Sequence, residues 1–502
     1  MKGTGMKKSG SYCFAILSAA LCACGFSVFA AETNEVALAE DDWNVSAGAD
    51  FRLRQEMMDN LPGNPNAPYS LVPAKAGKNR NHFRMRPRVW LQAEKGPFTI
   101  YGRLADEFRE YPVKNGKRRY DRAYTMPDEV FLDNLYLDGH GLTADWLSKI
   151  GVETLDFRAG RQDLFDRGHS IYGLDRIIAE GTPTDGSRSF FSDMVRTTLN
   201  FDDVRKLDLF ALYDNGRNNL RYGTRQSQGR ALNCINMSDS NDLDEWGGGA
   251  IFSDAAFDGH LPFKLYSIFK RSESYTTYSP VPRRMPAKEV TTLGIFLTPE
   301  FDDNWGMEIE SAKQFGRMLD GNHQAGGWMT HLELKYRPDY QRAWKPVVSL
   351  AGTYYSGDKH RTDPEDGDSA WDPLWSRYTQ DSEMLVYGTL YGNCYWSNMV
   401  YTKLKLTMNF GAHHAMYAYT GPMFTAVQDH LGHADGGGDS MYKGFLSAAR
   451  YDFPIRLAPK GASGLDRFEV FGHLVAELFN PGDYFDSSKP AYFIRWQFDF
   501  RF

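Results

Sequence analysis

The chain has 502 residues, 57 Lys and Arg against 64 Asp and Glu, and a formal net charge of −7. Its 42% of hydrophobic residues exclude long disorder, while a mean hydropathy of −0.51 is too polar for a bundle of membrane helices. Aromatics still reach 14%, beside 47 Gly, which suits strands that alternate between two solvents.

Residues 1–30 read as a secretory signal peptide. Lys2, Lys7 and Lys8 precede an uncharged run from Tyr12 to Phe29, which ends in Val28-Phe29-Ala30 before Ala31-Glu32, a small-residue cleavage pattern. An uncleaved anchor is the alternative, but the run is near the lower limit for a spanning helix. Leu21-Cys22-Ala23-Cys24 also resembles a lipid-attachment box, with an unusual Cys at its second position. Cleavage removes Cys13, Cys22 and Cys24. Cys234 and Cys394 remain, either as one disulfide or as free thiols.

Residues 31–502 read as one unit built in steps of two. Trp43, Val45, Ala47, Ala49, Phe51 and Leu53 alternate with Asn44, Ser46, Gly48, Asp50, Arg52 and Arg54. Phe83, Met85, Pro87, Val89 and Leu91 then oppose Arg84, Arg86, Arg88, Trp90 and Gln92. Lys95-Gly96-Pro97 is a tight turn into Phe98, Ile100, Gly102 and Leu104, so the two runs form a hairpin. Similar runs recur near 129–139, 152–161, 191–202, 205–214, 246–255, 261–272, 290–299, 304–314, 326–337, 345–356, 398–409, 411–421, 443–454, 466–478 and 491–502. They total about eighteen strands.

Short connections such as Asp202-Asp203-Val204 alternate with long polar ones at 57–81, 110–128, 215–245, 273–289 and 357–397. The fold class is therefore all-β: a single transmembrane antiparallel β-barrel with short periplasmic turns and long extracellular loops. A secreted β-sandwich explains one such strand. It would need several copies and linkers to explain the chain, and no Pro/Ser-rich linker or repeat is visible.

The last strand puts Tyr492, Ile494, Trp496, Phe498, Phe500 and Phe502 on one face. This aromatic ending resembles the assembly signal of Gram-negative outer-membrane proteins, which implies the barrel-assembly machinery, membrane lipid and lipopolysaccharide as partners. Three further motifs resemble the alginate-export family of outer-membrane porins. They are Phe51-Arg52-Leu53-Arg54-Gln55-Glu56 with Phe83-Arg84-Met85-Arg86-Pro87-Arg88, then Phe157-Arg158-Ala159-Gly160-Arg161-Gln162-Asp163-Leu164, then Tyr355-Ser356-Gly357-Asp358 followed by Trp371-Asp372-Pro373-Leu374-Trp375. The resemblance implies a monomeric eighteen-stranded barrel and fixes the fold better than the cargo.

In a barrel the polar strand faces point inward. Arg52, Arg54, Arg84, Arg86, Arg88 and Arg103 then line the lumen, joined by Arg158, Arg161, Arg196, Arg495 and Arg501. Guanidinium binds carboxylate in a bidentate fork, so this wall suits anionic solutes or an anionic, alginate-like polysaccharide. The plainer reading is that each Arg merely pairs with Asp50, Glu56, Glu94, Glu107 or Asp499 to hold the barrel in shape. Asp358, Asp363, Glu365, Asp366 and Asp368 read as a solvated extracellular loop. Calcium could bind there, but the spacing is not that of an EF-hand. Loop 357–397 is long enough to constrict the channel.

Enzymatic signatures are not found. The chain has no Gly-x-Ser-x-Gly elbow and no His-Glu-x-x-His motif. His413 and His414 are adjacent and would face opposite ways on a strand, and His430 and His433 read as loop residues. No catalytic residue, metal or cofactor is expected, and no basic run suits nucleic acid. The rival reading is a non-transporting barrel that acts as an adhesin or hydrolase through its long loops.

Overall fold

A computed structural model describes residues 43–60, 80–106, 108–110, 130–166, 169–177, 192–214, 221–222, 244–255, 261–277, 283–321, 323–338, 344–359, 367–375, 382, 397–411, 413–428, 440–462, 464–485 and 488–502. The signal-peptide reading falls outside this set, as do Glu107, Cys234, Asp363, Glu365, Asp366, Cys394, His430 and His433.

Eighteen long strands form one closed antiparallel barrel. In chain order they are β1 (Asn44–Asp59), β2 (Arg80–Lys95), β3 (Phe98–Ala105), β4 (Val130–Leu142), β5 (Thr154–Gln162), β6 (Ser192–Asn200), β7 (Arg205–Asp214), β8 (Glu245–Asp254) and β9 (Phe263–Ser272). The second half comprises β10 (Lys288–Leu297), β11 (Trp305–Met318), β12 (Trp328–Tyr336), β13 (Val347–Tyr355), β14 (Met399–Asn409), β15 (Ala415–Phe424), β16 (Tyr442–Arg456), β17 (Glu469–Pro481) and β18 (Ala491–Arg501). Each strand pairs with the next, and β18 closes onto β1 with Phe51 opposite Phe500 and Arg52 opposite Asp499. Phe502 N–H donates to the Ala49 carbonyl at 2.9 Å, carrying the seam to the last residue.

The tight connections are written locally in sequence. Gly96 takes φ +54°, where a side chain would be strained, and turns β2 into β3. The Asp202 carboxylate accepts from the N–H groups of Val204 and Arg205 at 3.0 and 2.7 Å. Asp302 does the same for Asn304 and Trp305 at 2.8 and 2.7 Å, so both turns are held by an Asx cap. The long connections leave from the other end of the barrel.

Burial is inverted relative to a protein in water. Leu350 is 56% exposed while Arg54 is wholly buried. On β12, Trp328, Leu332 and Tyr336 face outward, whereas Met329, His331 and Glu333 are buried inside. Exposed apolar residues surround the cylinder, from Leu91 and Val195 to Leu293, Leu404 and Leu474. Aromatic pairs mark both edges of the belt. Trp305 and Tyr336 pack at 4.6 Å near the tight turns, and Phe424 and Tyr442 at 5.3 Å near the long connections. No described helix is long and apolar enough to cross a membrane; the strands do the crossing. One closed sheet replaces the sandwich alternative, because among the described residues the apolar faces meet no second sheet.

Because Leu332 sits mid-strand on the outer face, Leu332→Arg should destabilise the folded barrel in bilayers by about 2–4 kcal/mol, measured by denaturant titration against lipid vesicles.

Candidate functional site

Alternation sends Arg52 and Arg54 of β1, Arg84, Arg86 and Arg88 of β2, Arg103 of β3, Arg158 of β5, Arg196 of β6, and Arg495 and Arg501 of β18 to the lumenal face. Like charges meet across the ladder, with Arg52 opposite Arg86, Arg54 opposite Arg84, and Arg158 opposite Arg196. Carboxylates are interleaved to compensate. Glu56 takes Arg54 at 2.9 Å, Arg84 at 3.3 Å and His82 at 2.9 Å. Asp50 accepts twice from Arg88 Nε at 2.8 and 3.0 Å, and Asp133 twice from Arg103 at 2.7 and 2.9 Å. Asp138 holds Arg158 in a two-pronged fork at 2.5 and 2.6 Å.

Exposure divides this wall. Arg52, Arg54, Arg84, Arg86 and Arg495 are enclosed. Arg88, Arg103 and Arg158 keep 18%, 15% and 22% of their side chains exposed. An aromatic row runs beside them. Trp90 stacks on Tyr101 at 6.2 Å, Tyr101 on Tyr136 at 5.1 Å, and the Arg158 guanidinium lies 3.9 Å from the Tyr136 centroid.

Arg161 does not belong to this wall. The register sets it opposite Leu135 and Asp193, on the face shared by the exposed Leu135 and Val195. It forks onto the Asp193 carboxylate at 2.9 and 3.0 Å. A paired charge is tolerated on the outer face near the strand end, where the belt gives way to headgroups.

The remaining arc is basic through lysine, which the arginine pattern did not reveal. Lys264 and Lys270 of β9, Lys288 of β10, Lys335 of β12, and Lys403 and Lys405 of β14 share the inward faces. Several of them hold chain that has folded inward. Residues 367–375 lie against β9–β11. Lys270 Nζ donates to the Leu374 carbonyl and to Asp372 at 3.3 Å, and Lys288 reaches Asp368 at 2.7 Å and Asp372 at 3.3 Å. Gln314 of β11 clasps the same residue both ways at 2.8 Å, accepting from Asp372 N–H and donating to its carbonyl. Trp371 and Trp375 are buried. A Cβ on Gly247 would stand 2.8 Å from the Trp375 ring, so a strand glycine makes room for that indole.

Residues 169–177 form a second inward segment. Tyr172 stacks on Phe210 at 5.0 Å, Lys264 donates to its carbonyl at 2.6 Å, and Tyr355 OH donates to the Arg176 carbonyl at 2.9 Å. Phe210 also meets Trp375 edge-on at 6.1 Å, which joins the two segments. The acidic-loop expectation is thereby corrected in part. Asp358 is buried and accepts from Ser369 N–H at 3.1 Å, and Asp368 is an ion-pair partner rather than a solvated charge.

Glu308, His331 and Glu333 bring ligand atoms within 4.8 Å of one another, the spacing a metal ion needs. Lys335 already meets Glu308 at 2.8 Å and Lys405 meets Glu333 at 2.7 Å, with Arg176 at 3.9 Å. That balance of charge makes the trio an ion-pair network that ties β11, β12 and β14 to the inward segment. His413 and His414 lie at the β14–β15 turn, where His414 Nδ1 contacts Tyr451 OH at 2.9 Å.

No family model matches the chain, and no curated protein matches it. Solved structures do. OccAB1 of Acinetobacter baumannii superposes with a TM-score of 0.51 at 8% identity, covering 91% of this chain and 96% of that one. OccK5 of Pseudomonas aeruginosa gives 0.48 at 8% identity over 91% and 98%. A BenF-like porin of Pseudomonas fluorescens Pf-5 gives 0.47 at 12% over 91% and 98%. The first of these carries the fold. With the closed ladder and the apolar belt already described, the location follows. The chain is an integral outer-membrane β-barrel. The likeness to the alginate-export family stays at the level of the motifs, since no family match supports it.

Inside this barrel, Asp372 gives the inward segment a pH limit. Burial raises its carboxyl, but Lys270 and Lys288 outweigh that and hold it at about 2, below the ordinary 3.8. A depressed carboxyl stabilises docking at pH above its undocked value and stops doing so as pH falls through its docked one. The contribution, on the order of 2 kcal/mol, should be complete above pH of about 4 and fade toward about 2. Single-channel current should become noisier over that window, and Asp372→Asn should show the same noise at neutral pH.

Proposed function

We propose that this barrel is a passive channel whose lumen prefers small anions, carboxylates above all. The observation that carries the reading is the row of partly exposed Arg88, Arg103 and Arg158 on β2, β3 and β5, beside the rings of Trp90, Tyr101 and Tyr136. Guanidinium groups that pair with Asp50, Asp133 and Asp138 while staying partly exposed can exchange contacts with a passing carboxylate and hold it weakly enough to release it. The inward segments 169–177 and 367–375 occupy the β7–β13 arc, which favours compact solutes over a polymer such as alginate. Delivery to the membrane would use residues 1–30 as a cleaved signal and the aromatic β18 as the element read by the barrel-assembly machinery. The barrel would act as a monomer.

Reversal potentials in planar bilayers test this directly. Under a salt gradient the wild type should prefer anions, and gluconate or a uronate should carry current. Removing three cations leaves Asp50, Asp133 and Asp138 behind, so the triple variant Arg88→Gln, Arg103→Gln, Arg158→Gln should reverse the preference to cations. Cation preference in the wild type, or an unchanged potential in the variant, would overturn the proposal.

A further inference from the structure

The outer face carries charges that neither the fold nor the channel uses. Arg271 of β9, Glu289 of β10 and Arg317 of β11 stand side by side in the ladder at the end of the barrel with the long connections. They share a face with lipid-exposed residues, since Leu265, Leu293 and Phe315 alternate outward on the same three strands. The carboxylates are already engaged. Glu273 accepts from Arg271 Nε at 2.8 Å, and Glu289 accepts from Arg317 Nε at 2.7 Å. Arg317 bonds its partner through Nε and keeps 56% of its side chain exposed.

Lys313 lies four residues below Arg317 on the same face, in register with the exposed Leu293 and Trp328. Among the described residues its ammonium has no hydrogen bond or ion pair. Arg271 and Arg317 pair with Glu273 and Glu289, and Asp244 adds a third carboxylate beside Glu273, so the unpaired positive charge is that of Lys313. A lone ammonium facing hydrocarbon is costly, and its natural remedy is a lipid anion at the interface.

The geometry points to a binding site on the outer surface of β8–β11 for a phosphorylated glycolipid of the outer leaflet. Arg317 and Lys313, roughly 13 Å apart along the strand, would hold phosphate. Trp246, against which Arg271 packs at 6.0 Å, and Trp328 would flank the headgroup. Leu265, Leu293 and Ile295 below them would take the acyl chains. The site rests on the outward orientation of this face and not on channel activity, so it stands or falls independently of anion selectivity.

The test titrates the full-length barrel, delipidated in detergent, with diphosphoryl lipid A and with dephosphorylated lipid A, counting bound copies by native mass spectrometry. The wild type should retain the phosphorylated form preferentially. Lys313→Gln with Arg317→Gln should lower that retention roughly tenfold while the heat-modifiable gel mobility of a folded barrel persists. Arg317→Gln alone, at an exposed position, provides a smaller loss should the double variant fold poorly. Equal retention of the two lipids, undiminished binding by a folded variant, or full competition by inorganic phosphate would overturn the assignment.

Discussion

The structure depends on one constraint: in hydrocarbon every backbone N–H and C=O must find a partner within the protein. An open sheet would leave two edges unsatisfied, so β18 has to meet β1. The seam meets that demand with register as well as hydrogen bonds. Phe51 faces Phe500 and Leu53 faces Phe498 on the lipid side, while Arg52 faces Asp499 and Glu56 faces Arg495 on the lumen side. A slip of one residue would turn guanidinium toward lipid and phenyl groups toward water, so the two solvents themselves fix the pairing.

Closure confines the polar faces in a small volume, and their charge must then be balanced locally. The β1–β6 arc does this with arginine forks on Asp50, Glu56, Asp133 and Asp138. The opposite arc does it with lysines whose partners come partly from the inward segments, as Lys270 and Lys288 share Asp372. Enclosed residues such as Arg54 and Arg495 hold the barrel in shape, and the proposed solute-facing role falls to partly exposed ones of the same network, such as Arg88 and Arg158.

The barrel was legible in the sequence because lipid enforces a period of two. Trp328, Leu332 and Tyr336 announced the outer face of β12 as plainly as Ile494 and Phe498 did that of β18. Arg161 was misplaced because its Gly-Arg-Gln motif outweighed its own alternation: counted from Arg158, it falls outward, where Asp193 meets it. The lysines obey the same alternation, but their role lies in contacts across the lumen. Lys270 and Leu374 are 104 residues apart, and Gln314 and Asp372 are 58 apart. Irregular segments carry no period, so nothing local reveals that 169–177 and 367–375 fold inward. The one cue was chemical, two tryptophans in a supposedly solvated acidic loop.

The central claim is that a single strand wall separates hydrocarbon from an enclosed, charged interior. Spin labels placed one at a time along β12 in a bilayer test it most directly, by comparing collisions with oxygen, which dissolves in lipid, and with a water-soluble nickel chelate. Labels at Thr330, Leu332 and Leu334 should collide chiefly with oxygen, and labels at His331, Glu333 and Lys335 should be shielded from it. Equal oxygen accessibility at the two sets, or a pattern with a period other than two, would contradict the account.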